Sequence, residues 1–454
     1  MKGLLKVKFK INIPFNVNKL IYTLQNHGHS AYVVGGCVRD SILNRTPHDW
    51  DICTSATPNE MLEIFKDSKV IETGLQHGTV TVVVDNEAYE ITTYRIDGTY
   101  SDNRRPDSVT FTNELTEDLH RRDFTINAMA YNDKEGLIDP FHGLEDIKYK
   151  KINCVGRSKD RFEEDALRIL RAIRFASQLD FTIMPGTDCE IHQQYKSLKN
   201  ISVERINNEF CKIVSSDSFC VQLLLYKDVF SLFIPELNDI LDFPQNNPYH
   251  DYNVFDHTVH AIEHCGSEDL VVKLAVFFHD FGKPHSYQDG EDGIRHFKGH
   301  GKVSAEITDT IMKRLKFDNE TRNNVVELVY YHDATFEVGK KYVKRWLNKL
   351  GEKQFRRLLY IRMADISAQS DLNKIERINK VKDVLKCLDE VLTSEQCFQL
   401  KDLNINGNDL INLGIKQGKQ IGSILNQLLD MVINEEVEND KYKLLNCAKK
   451  LKET

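Results

Sequence analysis

The chain has 454 residues, 41% hydrophobic and 28% charged, with a formal net charge of −8. That describes an ordinary soluble protein of about two to four structural units and excludes a disordered or low-complexity chain. The acidic average argues against a polybasic binder but leaves room for a local basic face, and ten cysteines without a CxxC pair argue against a zinc ribbon or disulfide framework. Residues 1–15 interleave lysines with apolar residues, and no later stretch is long and apolar enough to span a bilayer. The expectation is a cytoplasmic protein with free thiols and no membrane partner.

Residues 1–150 read as mixed α/β. Ala31-Tyr32-Val33-Val34 is a short buried strand. Gly35 and Gly36 follow as a turn that lets the backbone approach a ligand closely, and 37–43 is a helix whose N-terminus faces that turn. Arg39 on this helix can neutralise a triphosphate. A strand is expected over 49–53, so that Asp49 and Asp51, two residues apart, point to one side. Two such carboxylates repel unless a cation lies between them, and Mg²⁺ takes hard oxygen ligands while keeping positions for substrate phosphates. A lone DxD is also what a solvated strand end carries; the glycine turn beside it favours metal chemistry. Thr57-Pro58-Asn59-Glu60 starts a helix with a capping box. Strands follow at 70–72, 79–84 and 88–94, the last two joined by a hairpin at Asp85-Asn86. Glu90 is the candidate third catalytic carboxylate, or an exposed strand acid. A polar, mobile segment over 96–108 contains Arg104-Arg105-Pro106 and precedes a strand at 109–112. In Arg121-Arg122-Asp123-Phe124-Thr125-Ile126-Asn127, Asn127 can bond a ribose hydroxyl, and Arg122 or Asp123 can reach sugar or phosphate.

Beyond residue 155 the pattern is helical. A stripe at Ala166, Ile169, Leu170, Ile173 and Ala176 predicts one helix over 160–178, with Asp165 and Arg168 at i and i+3 on one face. Cytosine and adenine both present an amino donor beside a ring-nitrogen acceptor. A carboxylate and an arginine can match that edge and reject uracil and guanine, at about 1–3 kcal/mol per unmatched buried group. A surface ion pair would look the same in sequence. A further helix is expected over 202–214. A junction at 245–248 precedes a histidine-rich unit holding His257, His279-Asp280 and Asp365, side chains suited to transition metals or Mg²⁺. His296, His300 and His332-Asp333 are additional polar candidates. Arg314, Lys316, Lys340, Lys341, Lys344 and Arg345 offer a basic face, or a solvated one.

Six motifs occur in order: Gly35-Gly36-x-Val38-Arg39-Asp40, Asp49-x-Asp51, Arg121-Arg122-Asp123 through Ala130, Asp139-Pro140-x-x-Gly143, Glu164-Asp165-x-x-Arg168-x-x-Arg171 and Glu204-Arg205-x-x-x-Glu209. Together they closely resemble the class II tRNA nucleotidyltransferases, the CCA-adding enzymes, within the polymerase-β-like superfamily. The segment from Leu403 to Gly422 is similar to the bacterial tail of that family. The resemblance implies a multidomain α+β protein: a catalytic head with a mixed sheet (1–150), a helical base-reading neck (151–245), a helical body (246–390) and a helical tail (391–454).

It also implies Mg²⁺ on Asp49 and Asp51, triphosphate on Gly35, Gly36 and Arg39, and sugar on Asp123 and Asn127. The base would be read by Asp165 and Arg168, and Arg171 would support the phosphates or the template. The partners would be CTP, ATP and the tRNA 3′ end. Poly(A) polymerases and members adding only CC or only A are close relatives. Arg104-Arg105-Pro106 lie where members that add the terminal A carry a flexible loop. Residues 250–370 resemble an HD metal-dependent phosphohydrolase domain, implying a second divalent metal on His257, His279, Asp280 and Asp365. That leaves an HD phosphohydrolase acting on RNA ends, or a tRNA-binding scaffold, as rival readings.

Overall fold

The computed structural model describes residues 10–98, 108–394 and 397–452, with backbone only at position 73. The chain divides into two compact units, Met1–Leu232 and Phe233–Thr454. Among the described residues no helix is long and apolar enough to cross a membrane. None of the ten cysteines is in a disulfide.

The first unit is built on a seven-stranded mixed sheet. Its strands are β1 (Ala31–Val34), β2 (Ile52–Thr54), β3 (Lys69–Gly74), β4 (Thr79–Val84), β5 (Glu87–Thr93), β8 (Ala130–Asn132) and β9 (Gly136–Ile138), in the order β3-β4-β5-β2-β1-β8-β9. Two short strands, β6 (Arg95–Asp97) and β7 (Val109–Phe111), pair apart from it. The valine-rich run of β4 suits a pleated, half-buried surface. Asp85 and Asn86 both take positive φ (50° and 65°), which matches the turn twist that a two-residue hairpin needs. β1 and β2 are buried throughout, as central strands covered on both faces must be. Thr57 and Glu60 form the expected capping box of α3 (Pro58–Ile64). The segment expected to be mobile has its two ends paired as β6 and β7, while Arg104, Arg105 and Pro106 fall outside the described residues.

Two expectations are corrected. The strand predicted over 49–53 begins only at Ile52. β1 pairs antiparallel with β2 (Val33 with Ile52) and leaves the sheet at Gly35, whose φ is 83°. Asp49 and Trp50 therefore have no ladder partner, although the Val34 N–H still holds the Asp51 carbonyl at 3.0 Å. The helix predicted over 160–178 is two helices, α6 (Ser158–Glu164) and α7 (Leu167–Leu179). The break is Asp165, with extended backbone (φ −142°, ψ 103°). Its carboxylate accepts the Leu167 N–H at 3.0 Å, an alternative to the helix ladder that short polar side chains offer. Asp165 and Arg168 thus do not share a helix face.

α7 is buried almost all round and packs against α9 (Val203–Val214). It carries Arg168, Arg171 and Arg174. Glycine is required where α5 (Gly143–Lys148) starts: a Cβ on Gly143 would lie 2.3 Å from the Thr125 carbonyl oxygen. That contact seats α5 on the 3-10 turn Thr125–Asn127.

Among its described residues the second unit is helical apart from the two-stranded ribbon Gln288–Asp289 with Arg295–His296. Its body comprises Val254–Glu263, Leu270–Phe278, His300–Arg314, Asn319–Tyr331, Lys340–Ser367 and Lys374–Thr393. Asn253, Asp269 and Asp318 cap three of these through side-chain oxygens. The run Lys340–Ser367 is broken at Gly351 (φ 74°). Gly407–Asn412, Lys419–Ile433 and Lys441–Lys452 enclose their own small core around Leu410, Leu428 and Leu444. The basic face suggested by the sequence is partly spent internally. Arg314 pairs with Glu236 at 2.6 Å, Lys344 is buried, and Arg345 donates to Asn434 at 2.6 Å.

Candidate functional sites

The acidic site forms where β1 turns out of the sheet. Gly35 needs its positive φ there, and a Cβ would stand 3.0 Å from Arg122 Nη1. β2 runs parallel to β5 with Ile52 opposite Ile91, so Asp51 and Glu90 sit one step before that pair on neighbouring segments. Asp49, Asp51 and Glu90 line one cavity of about 820 Å³ together with His48, Trp50 and Tyr89. Burial raises the pKa of Asp51; Arg122 opposes that shift and Asp49 adds to it. This is the electrostatic state of an acid pair that a cation would relieve. The donor set is all carboxylate oxygen, which fits Mg²⁺. Among the described residues, groups of three ligand atoms within 4.8 Å of one another occur only in the second unit. Glu90 therefore lines the cavity without closing on the two aspartates.

Beside it runs a continuous polar network. Arg39 Nη1 donates to Asn127 Oδ1 at 2.6 Å, and Asn127 Nδ2 donates to Asp123 Oδ1 at 3.1 Å. Arg171 grips Asp123 Oδ2 through Nε (2.8 Å) and Nη2 (2.5 Å). Burial opposes ionisation of Asp123, yet Arg171, Asn127 and Arg168 hold its carboxyl well below the usual range. The Phe175 ring supports Arg39, Arg171 and Arg174, whose guanidinium carbons lie 4.9, 5.4 and 4.3 Å from its centre. α2 (Gly36–Ile42) is only seven residues long, so the positive charge here comes mainly from arginine. Arg122 is held by buried Asp118 (3.4 Å), which also binds Arg121 at 2.7 Å. Asp118 was not singled out in the sequence; its signal is the i+3 and i+4 spacing to those arginines.

The two residues expected to read a base are held separately. Asp165 Oδ2 accepts from Arg205 Nη2 at 2.8 Å. Arg168 pairs with Glu164 and donates to the carbonyls of Arg161 and Arg121, both at 3.1 Å. Nearby, Arg174 pairs with buried Glu209 at 3.0 Å. Arg205, Glu164 and Glu209 all lie in the sequence motifs, but sequence spacing assigns them no partners.

In the second unit, His257, His279, Asp280 and Asp365 come together as expected, all buried, and His300 and His332 join them. His257 Nε2 is 3.1 Å from Asp365 Oδ1 and 3.4 Å from Asp280 Oδ2; His279 Nε2 is 3.2 Å from Asp280 Oδ2. On the other side, His300 and His332 Nε2 lie 3.4 and 3.5 Å from Asp280 Oδ1. Each of the four imidazoles has Nδ1 on a backbone carbonyl: Ala368 (3.3 Å), Val276 (2.6 Å), Phe297 (2.7 Å) and Val329 (2.7 Å), respectively for His257, His279, His300 and His332. A carbonyl can only accept, so Nδ1 carries a proton in each ring, and in a neutral ring Nε2 would present its lone pair inward. Burial opposes the Asp280 charge, but His279 and Lys283 hold its carboxyl well below the usual range. A cavity of about 690 Å³ opens over this cluster. His296 and Asp333 are on its lining, outside the cluster itself.

Comparison with known proteins bears on both units. The family described as "Poly A polymerase head domain" matches residues 31–153, and a tRNA nucleotidyltransferase domain 2 family matches 288–448. Residues 180–241 match the family "Probable RNA and SrmB- binding site of polymerase A". The chain is 34% identical over 448 residues to the CCA-adding enzyme of Oceanobacillus iheyensis, covering 95% of this chain and 96% of that one. It is 33% identical to that of Enterococcus faecalis, covering 95% and 94%. Its structure is similar to that of the Bacillus stearothermophilus CCA-adding enzyme in complex with CTP, with a TM-score of 0.69, 27% identity, and coverage of 97% and 98%.

Proposed function

The chain belongs to the family of CCA-adding enzymes, and from that premise we propose how its residues divide the work. It is a tRNA nucleotidyltransferase: it extends the tRNA 3′ end with CMP, CMP and AMP drawn from CTP and ATP, releasing pyrophosphate. The observation that carries this reading is the Asp49–Asp51 pair in its cavity next to the Arg39–Asn127–Asp123–Arg171 network.

Asp49 and Asp51 hold divalent metal, taken here as Mg²⁺, which when bound lowers the pKa of the primer 3′-hydroxyl and neutralises the triphosphate. Gly35 keeps the backbone turn open for the phosphates, and Arg39 and Arg122 supply positive charge beside it. Asp123 fixes Asn127 and Arg171 so that sugar and phosphate meet groups already in place. Asp165 and Arg168 offer an acceptor and a donor to the base edge. Glu90 shapes the cavity wall. In the second unit, His257, His279, Asp280 and Asp365 suit one divalent transition metal, with two nitrogen and two oxygen donors.

Incubating the protein and Mg²⁺ with tRNAs ending before CCA, after C and after CC, with CTP and ATP separately and together, tests the activity. Ordered addition stopping at CCA is expected. A long A tail indicates a poly(A) polymerase, a halt at CC a partial enzyme, and no addition leaves the histidine cluster as the centre of function.

Asp123→Asn is expected to raise KM for both CTP and ATP about 10- to 100-fold, because it weakens charge-assisted bonds to Arg171. Steady-state kinetics on a tRNA lacking CCA checks this; an unchanged KM removes the network from nucleotide binding.

A further inference from the structure

Phe175 stands on α7, one residue after Arg174 and four after Arg171, a spacing that puts Arg171 and the ring on one helix face. Arg39 reaches the ring from α2, so Phe175 joins two separate elements of the site. The residue is 5% exposed. Phe124 seats it edge-on, with ring centres 5.7 Å apart and planes at 80°. Phe124 follows Asp123, and its N–H donates back to Asp123 Oδ1 at 2.8 Å. Three guanidiniums within 5.4 Å of one ring centre crowd like charges together. Each has one carboxylate: Arg39 has Asp40 at 2.8 Å, Arg171 has Asp123 at 2.5 Å and Arg174 has Glu209 at 3.0 Å. Burial, with the charges of Arg171 and Arg39, pushes the Arg174 pKa down to about 10 against the pull of Glu209. Arg174 Nε is buried without a hydrogen-bond acceptor among the described residues, and its guanidinium carbon lies 4.3 Å from the ring centre. Arg171 gives Nε and Nη2 to Asp123, while its Nη1 makes no hydrogen bond among the described residues, on a side chain 31% exposed.

We propose that Phe175 is a positioning residue for triphosphate binding: the electron-rich face of its ring holds Arg39 and Arg171 together in the orientation that meets the phosphates. The proposal rests on the nucleotidyltransferase reading above and gives a role to a residue that reading leaves idle. The ring does what a further carboxylate could not. Three guanidiniums matched by three carboxylates are neutral as a set, and a fourth acid would leave the set negative and repel a triphosphate. An aromatic face attracts cations without adding charge, so it gathers the arginines and keeps their positive field for the ligand. An aliphatic side chain of similar volume would fill the same space. It would leave the arginines to their mutual repulsion, and Arg39 and Arg171 would draw apart. The ring acts on arginines and not on a base, so CTP and ATP depend on it equally.

The test replaces Phe175 in the full chain with 4-fluoro-, 3,5-difluoro- and 3,4,5-trifluorophenylalanine, which withdraw electron density from the ring face in steps while keeping its shape and apolar character. Equilibrium dialysis against CTP and against ATP is expected to show Kd rising with each fluorine, about 10-fold across the series and to the same extent for both nucleotides. Tm should not fall along the series. Phe175→Leu is expected to match the trifluoro variant; if it fails to fold, the fluorinated series alone decides. In steady-state addition to tRNA lacking CCA, KM for CTP should rise along the series while kcat changes less. A Kd that stays flat overturns the proposal, as does a Kd that rises only where Tm falls, the behaviour of a plain core residue. A loss confined to one nucleotide also overturns it, because the ring would then act on the base. Dialysis reads nucleotide binding without tRNA, so failure of the wild type to add CMP refutes the nucleotidyltransferase reading and leaves the binding series to decide the role of the ring.

Discussion

Asp51→Ala is expected to lower nucleotide addition by roughly 10³-fold or more, the scale of the several kcal/mol that metal ligation supplies to a developing charge. Binding of tRNA should change little, because the substitution removes a cavity-lining carboxylate and no positive surface. The fold should not suffer either. Burial raises the pKa of Asp51 in the folded chain, against Arg122 and with Asp49. A carboxyl whose folded pKa exceeds its unfolded value costs stability once it ionises, and that cost fades as pH falls through the folded pKa. At neutral pH the aspartate is therefore a stability burden, and Asp51→Ala should leave Tm unchanged or higher. Single-turnover incorporation of CMP, filter binding of tRNA and a thermal melt measure the three quantities. Wild-type addition by the variant would refute the metal assignment. A collapse of Tm would show that Asp51 acts in folding.

What the sequence made legible was local. The valine run of β4, the Asp85-Asn86 turn and the Thr57–Glu60 capping box are each decided within a few residues, and each appears as expected. The acid pair was legible as chemistry but not as geometry. The strand meant to present both carboxylates stops short because its partner turns away at Gly35, a fact about β1 and not about Asp49. The helix over 160–178 failed for a related reason. Its apolar stripe, Ala166 to Ala176, lies wholly beyond Asp165 and could not place the helix start, while the carboxylate is held by Arg205, forty positions along the chain. The body site shows the same limit. Each histidine could be picked out, but the pairing of His257 with His279 and of His300 with His332 arises from separate helices meeting. No spacing rule reports that two Nε2 atoms will face each other, at 3.2 Å in the first pair and 3.0 Å in the second.

The break at Asp165 changes the argument about base choice instead of ending it. Two residues on one helix face can relax together and give up a base edge to each other. Here each is fixed by its own partners: Asp165 by Arg205 and the Leu167 N–H, Arg168 by Glu164 and two backbone carbonyls. Neither pairs with the other, so on the proposed reading an acceptor and a donor are each held by separate partners, as a template needs. Asp165→Asn offers a donor where an amino group needs an acceptor. At about 1–3 kcal/mol for each mismatched group, the CTP amino group losing its acceptor and the UTP carbonyl gaining a donor, discrimination of CTP over UTP should fall by roughly 30- to 10⁴-fold. Arg205→Ala separates template from bystander: it leaves Asp165 in place chemically but frees its orientation, so base choice should relax while KM for triphosphate moves less. The measurement is kcat/KM for the four nucleoside triphosphates on tRNA lacking CCA, for wild type and both variants. A preference for CTP and ATP that survives both substitutions would mean that the bases are read elsewhere, and that the Asp165–Arg205 pair only pins the junction between α6 and α7.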